Sequence, residues 1–263
     1  PVDIKLDVAR MNDRIRLNFG QIVAMLLAIW FNVKRNHEIE VHPTHMRLEG
    51  RTVRAIYSVG VPSILMMSIG SVMTFGMNKI LLVFSSTAAA VFGVYFKLQS
   101  FFFMPVFGLN NGMVPIIAFN YGAHKKERIT HTIRLSCTFA FAMMMLGLLV
   151  FQLIPDKLLL LFNASEDMIS IGSNALRIIS WSYLFAGFCI VLSSVFQALG
   201  NGIYSLIVSV ARQLFVLLPS AWILAEVFGL HAVWWSFPIA EIVSILLSIL
   251  LFGRIYRKKI QTL

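Results

Sequence analysis

The chain has 263 residues, 58% of them hydrophobic and only 13% charged, where an ordinary soluble domain carries roughly 25% charged residues. So few charges cannot clothe a surface in water, which excludes a soluble enzyme or regulatory domain. The formal net charge of +10, from 22 Lys and Arg against 12 Asp and Glu, does not point to nucleic acid either. A nucleic-acid binder spreads its cations over a wet surface, whereas cations in an apolar chain mark cytoplasmic loops.

A helix of about 20 apolar residues crosses the roughly 30 Å hydrocarbon core of a bilayer. Seven such stretches are separated by polar breaks, near 17–33, 55–83, 88–121, 129–153, 168–199, 203–225 and 231–253. The lipid bilayer is therefore the first partner the sequence implies. The leader, 1–16, is polar, mixing Lys5, Arg10, Arg14 and Arg16 with Asp3, Asp7 and Asp13. The 17–33 stretch is the weakest of the seven, diluted by Asn18, Gln21 and Asn32. The 88–121 stretch is the longest, about 50 Å at the α-helical rise, so it must tilt, kink or project into water. Pro62, Pro105, Pro115 and Pro219 lie inside apolar runs, where kinks are expected.

Lys and Arg fall on alternate connections. The 34–54 connection holds Lys34, Arg35, Arg47, Arg51 and Arg54; the 122–134 connection holds Lys125, Lys126, Arg128 and Arg134. Arg212 follows the 199–203 turn, and the tail, 254–263, holds Arg254, Arg257, Lys258 and Lys259. The other connections carry only Lys157. By the positive-inside rule the basic set and the C-terminus are cytoplasmic, in a multi-pass protein of the inner membrane. The cations of 1–16 break the alternation, and the chain opens on Pro1 rather than Met. We take 1–16 as foreign to the architecture and the chain as a piece of something longer.

Few ionisable groups remain at membrane depth: Lys79, Lys97, Arg177 and Glu241. Each is a functional candidate because a charge there costs about 2.5–3.5 kcal/mol on insertion scales. Lys79 and Arg177 lie near enough to helix ends to snorkel, and Lys97 is open between snorkelling and lining a cavity. Glu241, the only carboxylate within a span, is the ion-coupling candidate, with a neutral structural role as its alternative. The 88–121 stretch also carries Gln99, Ser100, Asn110, Asn111 and Asn120, with Gly108, Gly112 and Pro115 interleaved. Amides in lipid need partners or a watery cleft, so this helix is expected to line one and to bend. The cavity candidates are Lys97, Gln99, Asn110, Asn111 and Asn78; the hinge candidates are Pro62, Pro105, Gly108, Gly112, Pro115 and Pro219.

No catalytic residues are assigned. There is no phosphate-cradling glycine loop and no nucleophile–base set, so the chain is not read as an enzyme. His37, His42 and His45 share a polar loop without a zinc spacing, and Cys137 and Cys189 sit in apolar runs, so no metal site is assigned.

Read together, these residues resemble a known family. The order runs Gly60-Val61-Pro62, then Phe103-Met104-Pro105 with Gly108, Gly112, Pro115 and Asn120-Tyr121-Gly122-Ala123. It continues with Gln197 to Gly202, Arg212-Gln213, Pro219, Gly229 to Trp234 and Glu241. This resembles the C-terminal half of bacterial multidrug and toxic compound extrusion (MATE) transporters over about 19–258. The resemblance implies an all-α polytopic helical membrane protein: one six-helix lobe, 55–253, of a twelve-helix transporter, preceded by the last helix of the other lobe, 17–33, and a cytoplasmic inter-lobe linker, 34–54. It also implies export of amphiphilic organic cations by alternating access in exchange for Na⁺ or H⁺, with no other cofactor and with the N-terminal lobe as the missing partner. Some members carry carboxylates in this lobe, but here one position falls on Gly70 and 168–199 holds no acid. A lipid-linked oligosaccharide flippase of the same superfamily and a non-transporting membrane scaffold are the alternatives.

Overall fold

The computed structural model describes residues 19–32, 34 and 49–263. The leader 1–16, His37, His42, His45 and most of the 34–54 linker lie outside the described residues. The chain divides into two units, Pro1–Arg54 and Ala55–Leu263.

In the first unit, α1 (Phe19–Asn32) is an apolar helix of 14 described residues. Its large side chains are exposed, and the Lys34 ammonium lies 5.4 Å from the centre of the Trp30 ring.

The second unit is a helical bundle. Its elements are α2 (Gly50–Leu82, which begins in the first unit), α3 (Ser86–Gly122), α4 (Lys126–Leu153), α5 (Pro155–Leu160), α6 (Glu166–Ser180), α7 (Tyr183–Ala198), α8 (Gly202–Val210), α9 (Leu218–Phe228), α10 (Leu230–Val233) and α11 (Ser236–Ile255). A π-helical segment, Ala211–Leu217, joins α8 to α9 without a break. Among the described residues, five helices are long and apolar enough to cross a membrane, and α6 with α7, bent by 54° at a break, makes a sixth if the pair is one span. Where the sequence reads one span over 168–199, the chain thus forms two helices.

That bend has a local cause. At Trp181–Ser182 the helical ladder is interrupted, and stranded carbonyls need donors in a place without bulk water. Gln152 on α4 donates to Arg177 O (2.9 Å) and to Ser180 Oγ (3.0 Å), Ser180 Oγ donates to Arg177 O (2.8 Å), and Ser182 Oγ donates to Ile179 O (2.7 Å). Tight packing holds α7 in place: a Cβ on Gly187 would sit 3.1 Å from the Ala140 backbone on α4, and one on Gly147 of α4 would sit 3.1 Å from the Tyr183 ring of α7. Small residues are what allow such close approach in membrane bundles. Gly229, at φ 78° and ψ −169°, occupies backbone space open essentially only to glycine and turns α9 into α10.

The prolines differ in effect. Helix continues through Pro62 in α2 and through Pro105 and Pro115 in α3. Pro219 sits in the first turn of α9, directly after the π segment. A widened turn there relieves the clash that proline makes with the preceding turn. Gly108 and Gly112 face open space, since a Cβ on either would meet nothing within 4 Å. At the chain's end, Ile255 and Ile260 are buried and Lys259 donates to Leu199 O (2.7 Å), so the basic tail folds back onto the bundle.

Candidate functional site

A cavity of about 660 Å³ opens within the second unit. On α2, Ser71, Thr74 and Asn78 recur at three- and four-residue spacing and so share one helical face toward it. Two of them satisfy their own backbone: Thr74 Oγ1 donates to Gly70 O (2.9 Å) and Asn78 Nδ2 donates to Thr74 O (3.0 Å). From α3, Tyr95, Gln99 and Phe103 present a second face, with Phe96 beside them. The α6–α7 break contributes Ser182, the π segment contributes Arg212, Gln213 and Leu217, and α11 contributes Phe237 and Glu241. The aromatic walls are braced by one another, with Tyr95 and Phe237 ring centres 5.7 Å apart and Phe103 and Tyr183 5.3 Å apart.

The electrostatic centre is an ion pair across two helices: Arg212 Nη1 lies 3.1 Å from Glu241 Oε2. Glu241 is buried, its side chain 5% exposed, while Arg212 is 35% exposed and reaches the cavity. Mutual neutralisation lets both charges persist at depth, because either alone carries a large desolvation cost. Glu241 Oε1, however, is buried with no hydrogen-bond partner. Next to the pair, Gln213 Nε2 donates to Ser209 Oγ (2.9 Å), and Gln213 Oε1 stands 3.8 Å from where a Cβ on Gly70 would be.

Of the sequence candidates, Gln99, Asn78 and Glu241 share this cavity. Asn110 is buried elsewhere and donates to Ile190 O on α7 (3.5 Å), and Asn111 is exposed. Lys97 is exposed with its ammonium 5.8 Å from the Phe162 ring centre and is not among the residues lining this cavity; Lys79 lies likewise over Phe75, at 5.6 Å, and Arg177 is exposed. Met67 and Met73 of α2 line the cavity, as does Phe103 of α3. The residue that sequence reasoning misplaced is Arg212. Counted above with the cytoplasmic loops, it belongs to the π segment inside the Gly202–Phe228 span. The signal was present, since Arg212 lies well within the 203–225 apolar run rather than at its edge. Its partner, 29 positions further on, leaves no periodic trace.

Multidrug export protein MepA of Staphylococcus haemolyticus (strain JCSC1435) is 28% identical over 230 residues, covering 86% of this chain and 50% of that protein. MepA of Staphylococcus aureus (strain MSSA476) is 25% identical over 234 residues, covering 88% of this chain and 51% of that protein. The chain thus spans about half the length of the curated relatives it matches. Among solved structures, the crystal structure of MATE in complex with MaL6 superposes with a TM-score of 0.81 at 22% identity, covering 92% of this chain and 55% of that one. A MOP superfamily transporter from Pyrococcus furiosus Vc1, reported with a binding pocket of reverse polarity, superposes with a TM-score of 0.81 at 21% identity, covering 91% and 54%. The MatE family profile matches residues 62–223. With more than half the chain inside that profile, on a polytopic helical fold shared with solved MATE proteins, the chain belongs to the MatE family.

Proposed function

We propose that this chain forms half of a secondary multidrug exporter of the inner membrane. The whole moves amphiphilic organic cations outward by alternating access, in exchange for Na⁺ or H⁺ and with no chemistry on the substrate. The observation that carries the reading is the cavity, whose aromatic and methionine walls surround one carboxylate–guanidinium pair. Aromatic faces attract organic cations, and flexible methionine accepts varied shapes. Glu241 is the coupling group. A proton or cation on it weakens its hold on Arg212, changes the net charge of the cavity and so favours one lobe arrangement over the other. The N-terminal lobe is the missing partner, and the basic end of the bundle with the C-terminus faces the cytoplasm.

The test is ethidium efflux from cells expressing this chain alone and together with a chain supplying the other lobe. Efflux only from the pair is expected. Efflux from this chain alone would overturn the half-protein reading, and none from the pair would leave a non-transporting scaffold. A second reading rests on Arg212 being the more exposed member of its pair, which suits an anionic headgroup and hence a lipid-linked oligosaccharide flippase. Among the structural neighbours, the Pyrococcus furiosus transporter is reported with a binding pocket of reverse polarity that suggests a different function. Binding of anionic lipid but not of ethidium to the paired lobes would favour this alternative.

A further inference from the structure

Beyond the cavity, α11 carries a line of buried oxygens that the ion pair does not explain. Glu241, Ser244 and Ser248 are 4%, 1% and 0% exposed, and Glu241 Oε1, Ser244 Oγ and Ser248 Oγ all lack a well-formed hydrogen bond, with the weakly polar Cys189 thiol of α7 beside the first two. Their spacing, three and then four residues, stacks them on one face of the helix. Elsewhere in this bundle helical hydroxyls satisfy themselves: Thr74, Ser100 and Ser194 each donate to the carbonyl four residues back. Ser244 and Ser248 do not. Bare buried hydroxyls cost about 1–3 kcal/mol each, and side chains so spaced stand about 5–6 Å apart at Cβ, a gap one bridging water fills.

The line has an exit. Lys259, just past α11, donates to Leu199 O, just before α8 (2.7 Å), so α8 begins at the end of the bundle where α11 finishes. One turn into α8, Ser205 is 1% exposed and donates to Ser193 O (2.6 Å). By the helical rise, Ser205 stands three residues from that end of the bundle and Ser248 eleven residues before Lys259.

We propose that Glu241, Ser244 and Ser248, and beyond them Ser205, form an internal proton relay through bridging waters from the cavity carboxylate to the basic end of the bundle. This deepens the exporter reading and rests on Glu241 being its coupling group. A proton enters on Oε1 while Oε2 keeps its contact with Arg212. On release the carboxyl O–H bond breaks, each hydroxyl and water passes one proton onward, and the carboxylate remains paired with the guanidinium. The titratable and charged neighbours of Glu241 are Arg212 from the π segment, Cys189 from α7 and Tyr95 from α3. No net charge other than that of Arg212 offsets the carboxylate there. The relay gives this lobe a route for H⁺ that bypasses the mouth of the cavity, and so allows substrate and proton to use Glu241 from different sides.

Infrared spectroscopy of the reconstituted full chain tests this without transport. A carboxylic C=O band that Glu241→Gln removes should grow as pH falls, and in D₂O it should shift within the mixing time. In the double variant Ser244→Ala and Ser248→Ala the band should remain, with its deuterium shift slowed about tenfold or more, equivalent to about 1.4 kcal/mol. Ser244→Thr, which keeps the hydroxyl, should exchange like the parent and also reports that the helix is intact. An unslowed shift in the double variant would overturn the relay while leaving Glu241 as coupling group. Absence of any Glu241-dependent band between acid and alkaline pH would overturn both.

Discussion

Helix α3 and the hairpin of α8, α9 and α11 make an instructive pair. Within α3 lie one lysine, three asparagines and a glutamine at membrane depth, and of these only Gln99 reaches the cavity. The Gly202–Phe228 span and α11 hold fewer charged and amide side chains away from their ends, yet these are Arg212, Gln213 and Glu241, the electrostatic centre. Lys97 and Asn111 of α3 are exposed, and Asn110 ties α3 to α7. What a membrane helix does is therefore set by which face its polar groups share with a neighbour, not by how many it has. In the hairpin the π segment matters for this, because a wide turn changes the direction in which the residues after it point.

The comparison breaks most sharply at Arg212. Arg212→Ala leaves Glu241 buried and unpaired and should destabilise the chain by about 2–4 kcal/mol, towards the lower side of the usual penalty for breaking a buried pair because the guanidinium reaches the cavity. Thermal unfolding in detergent measures it. Replacing both partners, Arg212→Met with Glu241→Leu, should recover most of that stability while efflux stays lost. On α3, Gln99→Ala should barely change unfolding but should weaken ethidium efflux by the paired lobes severalfold, on the scale of one lost hydrogen bond of about 1 kcal/mol. Asn110→Leu should be within about 1 kcal/mol of neutral, since it removes a long hydrogen bond together with an amide oxygen that has no partner. Smallest of all, Lys97→Ala should cost about 0.5 kcal/mol, the size of an exposed cation–π contact, and leave efflux unchanged.

Most of the architecture was legible in the chain because apolar length is a one-dimensional property. The stretches at 88–121 and 129–153 became α3 and α4 with ends shifted by a few residues. The broken α6–α7 span was not legible. Its break falls at Trp181–Ser182, with no Gly or Pro within four residues on either side, and it is held open by Gln152 from another helix. The start of α2 at Gly50 was likewise hidden, because Arg51 and Arg54 read as linker although nothing there stops a helix. For the site, Glu241 stood out by its rarity, whereas Arg212 was absorbed into a charge pattern that explained it too easily. Orientation signals and functional charges use the same residues, and only a partner across the bundle separates them.

The central claim is that the Arg212–Glu241 pair, rather than the polar face of α3, is the working centre of this lobe. Ethidium efflux by cells carrying this chain with its complementary lobe, measured side by side for Glu241→Gln and Lys97→Ala, tests it most directly. The account predicts that Glu241→Gln loses at least about tenfold in rate, about 1.4 kcal/mol, while Lys97→Ala matches the parent. Unimpaired efflux from Glu241→Gln, or loss in Lys97→Ala alone, would contradict it.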